Sequence, residues 1–104
     1  MEDTRIKMFR EIMSSYIMYR AAVLFEDKRL SVTVDRSKVV EGMSHVVCSA
    51  KDVYGADVVI LYDFLTAFSV VARLKDSLYS VVEKYGYKVI KIDKSGCYLS
   101  KESN

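Results

Sequence analysis

Short segments with the composition or the period of β-strands alternate along this chain with long segments whose apolar residues recur at helical spacing. Residues 30 to 34 (LSVTV) alternate apolar and polar side chains, which is typical of a half-buried strand. Residues 57 to 62 and 88 to 93 are rich in β-branched side chains and predict two further strands. Strands separated by long helices require crossover connections, so we expect a sheet that is at least partly parallel.

Three helices are predicted around these strands. In residues 3 to 20 the apolar side chains stay on one side of a helical wheel, and residues 37 to 55 and 63 to 86 show the same arrangement. Gly55 and Gly86 are typical of the residue that follows the C-terminal end of a helix. These glycines therefore mark where the second and third helices give way to strands.

Two hairpins complete the predicted fold. Residues 23 to 25 can pair with the first strand, and residues 97 to 101 can return beside the last one after a type I turn from Asp93 to Gly96. No proline, repeat or linker interrupts the chain, so we expect a single domain over residues 1–104. The predicted fold is a small α/β or α+β domain in the order α-β(β)-α-β-α-β-β, with a mixed sheet of roughly four or five strands and three helices.

An alternative fold arises if residues 57 to 85 are wholly helical. The order then becomes helix, strand, helix, helix and hairpin, which resembles the winged-helix family. That resemblance implies that residues 75 to 85 form the recognition helix and that residues 94 to 96 form the tip of the wing. Residues 58 to 62, however, fall out of phase with the apolar stripe of the segment that follows, so a strand is the preferred interpretation there.

The last part of the chain is basic. From Arg73 to the end there are seven lysines or arginines and four acidic residues, whereas the whole chain has a net charge of only +2. Lysines interleaved with tyrosines can contact a phosphate backbone and stack on bases. The same pattern can instead protect the exposed edge of a sheet from aggregation, and that structural role is the preferred explanation of the pattern by itself. The candidate residues for binding DNA or RNA are Lys84, Lys88, Lys91, Lys94, Tyr98 and Lys101.

Three predicted strands each end in an aspartate, which raises a second hypothesis. In an open parallel sheet the carboxyl ends of the strands form the ligand crevice, so Asp35, Asp63 and Asp93 could converge there. Converging carboxylates would bind Mg²⁺ for a nuclease or phosphohydrolase reaction. Aspartate is also a common N-cap and turn residue, and that structural role is the preferred explanation. No other cofactor is expected, because the chain has no phosphate-binding loop or GxGxxG motif.

The first helix carries Met8 and Met13, which raises a third hypothesis. Its apolar face either packs on the sheet, which is the preferred interpretation, or forms a homodimer or partner surface. Two cysteines without CxxC spacing, and the lack of a signal peptide or membrane-spanning segment, predict a cytoplasmic location. Because no complete catalytic motif occurs, these observations favour a small non-enzymatic nucleic-acid-binding or regulatory protein that uses its C-terminal hairpin.

Overall fold

The computed structural model describes residues 3–16, 20–25, 28–32, 39–41, 50–62 and 64–102. In this part of the chain, helices and strands form a small α+β domain, which confirms the predicted class. In chain order the elements are α1 (Thr4–Ser15), β1 (Ala21–Phe25), β2 (Lys28–Val32), β3 (Val39–Glu41), α2 (Ala50–Tyr54), β4 (Val58–Tyr62), α3 (Phe64–Arg73), α4 (Lys75–Lys84), β5 (Tyr87–Ile92) and β6 (Gly96–Lys101).

The strands form one sheet in the order β3-β2-β1-β4-β6-β5, and all pairings among the described strands are antiparallel. The prediction of a mixed, partly parallel sheet is therefore wrong for these strands, and only a shared direction of non-neighbouring strands remains. The strands β4 and β5, which α3 and α4 connect, run the same way because both are antiparallel to β6, which lies between them. In the same way, β1 separates β2 from β4. A hairpin partner therefore occupies the place of each expected parallel neighbour.

The second predicted helix is partly replaced by a strand. Val39–Glu41 form β3 beside β2, and Ala50–Tyr54 form the described helical part, while residues 42 to 49 lie outside the described residues. Consecutive valines fit a strand as well as a helix, and pairing with β2 decides between the two. The strand β3 also accounts for a sheet of six strands where four or five are expected.

Residues 57 to 85 are not wholly helical, so the winged-helix alternative is wrong. Val58–Tyr62 is a central strand that pairs with both β1 and β6. The helical segment that follows is divided at Leu74 into α3 and α4. Gly86, just after α4, has φ of 83°, a left-handed conformation that favours glycine. The predicted end of this helical segment is confirmed.

Most buried apolar side chains lie on one face of the sheet, which we call the helical face because α1 and α4 pack on it. Met8 and Met13 are fully buried there, so the preferred interpretation of the first helix is confirmed. Because both side chains contact the core of their own chain, they are not exposed to a partner. The cluster also contains Phe9, Ile12, Val23, Phe25, Ile60, Leu78, Val82 and Leu99.

The opposite face of the sheet, which we call the α2 face, holds a smaller apolar cluster. Leu24, Val59 and Tyr98 belong to it and pack with Ala50 of α2 and with Ala56. Successive residues of β6 thus divide between two environments, as the two-residue period of a strand requires. Among the described helices, none is long and apolar enough to cross a membrane.

Candidate nucleic-acid interface

A β-bulge in the edge strand β5 decides which way the candidate lysines face. Lys88 pairs with Ser100 and Lys91 pairs with Tyr98, and the ladder passes over Ile90 between them. Ser100 and Tyr98 are two residues apart on β6 and lie on one face, so their partners also lie on that face. In a regular strand, residues three apart point to opposite faces. The bulge therefore brings Lys88 and Lys91 together on the α2 face.

Tyr98 supports the neighbouring side chains of this surface. Its side chain is only 7% exposed, and the ammonium of Lys91 lies 5.3 Å from the centre of its ring. Tyr54 of α2 contacts the same ring, with 5.7 Å between the ring centres and 48° between the ring planes. A cation over an aromatic face is attracted by the ring quadrupole, which favours this position of Lys91. Tyr98 therefore holds Lys91 and Tyr54 on one surface.

Asp93 holds the turn between β5 and β6. One of its carboxylate oxygens accepts hydrogen bonds from the backbone N–H of Ser95 at 2.8 Å and of Gly96 at 3.0 Å. The other carboxylate oxygen lies 3.3 Å from the Lys91 ammonium, and the Tyr62 hydroxyl donates to the backbone carbonyl of Asp93. This is the turn role that the sequence favours over metal binding for this residue.

The electrostatics of the turn keep Asp93 charged. Burial by itself would raise the pKa of its carboxyl, but the backbone N–H groups of the turn and the Lys91 ammonium outweigh burial and lower the pKa below its ordinary value. Burial, and then the charge of Asp93, raise the pKa of the Tyr98 hydroxyl. Burial also raises the pKa of the Cys97 thiol to about 12, so this cysteine is neutral at physiological pH.

Lys84 lies apart from Lys88 and Lys91, on a helix that packs on the helical face. Its ammonium is 2.6 Å from a carboxylate oxygen of Glu11 in α1, and the Tyr85 hydroxyl donates to the other oxygen. The hydrogen bonds from Lys84 and Tyr85 lower the pKa of Glu11. Lys84 therefore has a structural contact that joins α1 to α4.

The two remaining candidate lysines lie at opposite ends of the hairpin. Lys94 is exposed in the turn, at the same end as Lys91. Lys101 lies at the far end of β6, where its backbone N–H donates to Asp57 at 2.7 Å. Its side chain lines an open cleft of about 520 Å³ together with Asp57 and with Asp3 and Arg5, which form an ion pair. This cleft lies at the opposite end of the hairpin from Lys91 and Lys94 and is therefore separate from the candidate interface.

The three strands that precede the candidate metal-binding aspartates run in the same direction without being neighbours. The strands β2, β4 and β5 take alternate places in the sheet, so β2 and β5 are about 19 Å apart at the usual strand spacing. Asp35 and Asp63 lie outside the described residues, so their convergence with Asp93 stays a prediction. Within the residues that the structure describes, no group of three His, Cys, Asp or Glu side chains could hold a metal ion.

Sequence reasoning missed Tyr54 as part of this surface. It lies in the predicted second helix, where the apolar side chains on one side of the helical wheel are expected to be buried, but its side chain is 40% exposed. Gly55, which has φ of 69°, ends α2 directly after it, and the Gly55 N–H donates to the Lys51 carbonyl. The signal available in the sequence was its position directly before Gly55, where the predicted helix ends.

Comparison with models of protein families, with curated proteins and with solved structures finds no match to this chain. Fold and surface together define a small α+β protein whose edge strand carries exposed lysines beside two tyrosines. A functional assignment therefore depends on what that surface can bind.

Proposed function

We propose that this protein is a non-enzymatic nucleic-acid-binding or regulatory protein that contacts phosphates through Lys88, Lys91 and Lys94. The observation that carries the proposal is the bulge in β5, because it turns Lys88 and Lys91 toward the same side of an edge strand. Their partners on β6 are two residues apart, a spacing of about 7 Å along a strand. Both ammonium groups can therefore contact the backbone of the same nucleic-acid strand.

The charge of the hairpin supports this proposal. Residues 87 to 102 carry four lysines and two acidic residues, so the hairpin has a net charge of +2 with Asp93 ionised beside Lys91. A lysine that neutralises a phosphate releases condensed counterions, so binding of this kind weakens as salt rises. Lysines that only protect a sheet edge from pairing would show no such affinity.

The test is the salt dependence of binding to a labelled oligonucleotide, measured by fluorescence anisotropy between about 50 mM and 200 mM salt. Three phosphate contacts predict a slope of about −2 to −3 for the logarithm of the association constant against that of the salt concentration. A variant with Lys88→Ala, Lys91→Ala and Lys94→Ala is expected to lose most of this slope and most of the affinity at low salt.

The matched control replaces three exposed basic residues outside the hairpin, with the changes Lys7→Ala, Arg73→Ala and Lys75→Ala. It lowers the net charge by the same amount, so a general effect of charge would weaken both variants equally. The proposal predicts that the control binds almost as well as the unchanged protein. Failure of the unchanged protein to bind any oligonucleotide at low salt would overturn the proposal.

A further inference from the structure

Tyr54 is an aromatic side chain that is fixed in place yet exposed. Its ring contacts that of Tyr98, and 40% of its surface is accessible. The α-helix that carries it ends at once in Gly55, and Ala50 at the other end of this helix is completely buried against the sheet. A ring held in this way loses little further conformational freedom when a flat ligand stacks on it.

Positive charge lies beside this ring. Lys91 is positioned over the same Tyr98 ring that Tyr54 contacts, and Lys88 follows on the same face of β5. The surface thus combines a stacking ring with cations on the same side of the sheet, and phosphate groups would complement those cations.

The geometry points to single-stranded nucleic acid as the ligand, with an unpaired base stacked on Tyr54 and the adjoining phosphates on Lys88 and Lys91. This inference rests on the proposed function and narrows it. Bases in a duplex are stacked on one another and present only their edges, whereas unpaired bases expose a flat face that an aromatic side chain can cover. A duplex could use the lysines, but it would leave Tyr54 without a stacking partner.

The deciding experiment compares Tyr54→Leu with the unchanged protein on a single strand of about 15 nucleotides and on a duplex of the same length. Loss of one base-stacking contact is expected to weaken single-strand binding about 5-fold to 150-fold. Because tyrosine is uncharged, the salt slope should stay the same, and duplex binding should change little. The control is Tyr79→Leu, which removes a tyrosine of similar exposure (38%) from α4.

A second variant tests stacking directly. The chain has no tryptophan, so Tyr54→Trp introduces a single indole that can still stack. This variant should bind the single strand as well as the unchanged protein does, and the single strand but not the duplex should quench its emission. The unfolding curve of each variant shows whether it is folded.

These experiments distinguish failure of the single-strand inference from failure of the proposed function. Salt-dependent binding that prefers the duplex, or that Tyr54→Leu leaves unchanged, overturns the single-strand inference and leaves the proposed function standing. Weak binding by Tyr54→Trp as well as by Tyr54→Leu also counts against stacking, because the indole should replace the phenol. If no oligonucleotide binds at low salt, both the function and its refinement are wrong.

Discussion

The two faces of the C-terminal hairpin differ in what covers them. On the helical face, Val89 and Ile92 of β5 pack beside Cys97 and Leu99 of β6 in the main core. On the α2 face, Lys88 and Lys91 are exposed, and Tyr98 belongs to the smaller cluster. The same two strands therefore supply a buried apolar side and a polar, positively charged side.

The hairpin is constrained mainly on its buried side. Packing against α1 and α4 requires apolar side chains at alternate positions of β6, and a one-residue slip of β5 would turn its lysines toward the core. The bulge at Ile90 lets β5 satisfy that requirement while both of its central lysines face the other way. The buried side thus sets the register, and the exposed side remains available for binding.

The largest effect is expected on the buried side. Leu99→Ala should lower the free energy of unfolding by about 2 to 5 kcal/mol, because Leu99 has no exposed surface and its removal leaves a cavity. Urea denaturation followed by circular dichroism measures this. Ser100→Ala, on the next residue of the same strand, is the control and should cost far less. If both changes lowered the free energy of unfolding by the same amount, the two faces of the hairpin would not differ in how tightly they are packed.

An intermediate effect is expected in the turn that joins the two strands. Asp93→Ala removes the acceptor for two backbone N–H groups and should lower the free energy of unfolding by about 1 kcal/mol at neutral pH. The carboxyl has a lowered pKa, so its contribution is complete above the unfolded value near 3.8 and disappears as the pH falls through the folded pKa. The difference between the variant and the unchanged protein should therefore shrink below pH ~4.

Urea denaturation at neutral pH and at pH ~3 checks this dependence. Asp93→Asn is the matched control, because it retains an oxygen acceptor for the turn but cannot titrate. Its stability should lie between those of the unchanged protein and Asp93→Ala at neutral pH. A stability difference for Asp93→Ala that stays constant as the solution is acidified would contradict the assigned role of the carboxylate.

The smallest effect is expected at the bulge. Ile90 is 46% exposed and is passed over by the ladder, so Ile90→Thr should change the free energy of unfolding by less than about 0.5 kcal/mol. The same change at Ile92, which packs against the main core, provides the comparison and should be clearly destabilising. Comparison of the urea denaturation curves of Ile90→Thr and Ile92→Thr shows whether the Ile90 side chain contributes as little to stability as its exposure implies.

Local sequence signals were sufficient to predict the elements whose residues strongly favour one conformation. The turn sequence from Asp93 to Gly96 has an aspartate that caps the turn, and Gly86 ends a helical segment at positive φ. The β-branched run at Val58–Tyr62 is a strand, as predicted. Of the candidate binding residues, the sequence placed Lys88, Lys91 and Tyr98 in one hairpin, and they share one face of it.

Tertiary contacts decided the features that local sequence signals left open. Val39–Glu41 could follow either period, and pairing with β2 made them a strand. The bulge at Ile90 has no sequence signature because it arises from fitting β5 to both β6 and the core, and it alone puts Lys88 beside Lys91. Tyr54 joins them only because α2 docks against Tyr98. The hairpin, its turn and its charge thus follow from local sequence, whereas long-range packing decided which side chains face the same way, because local propensity does not encode contacts between distant segments.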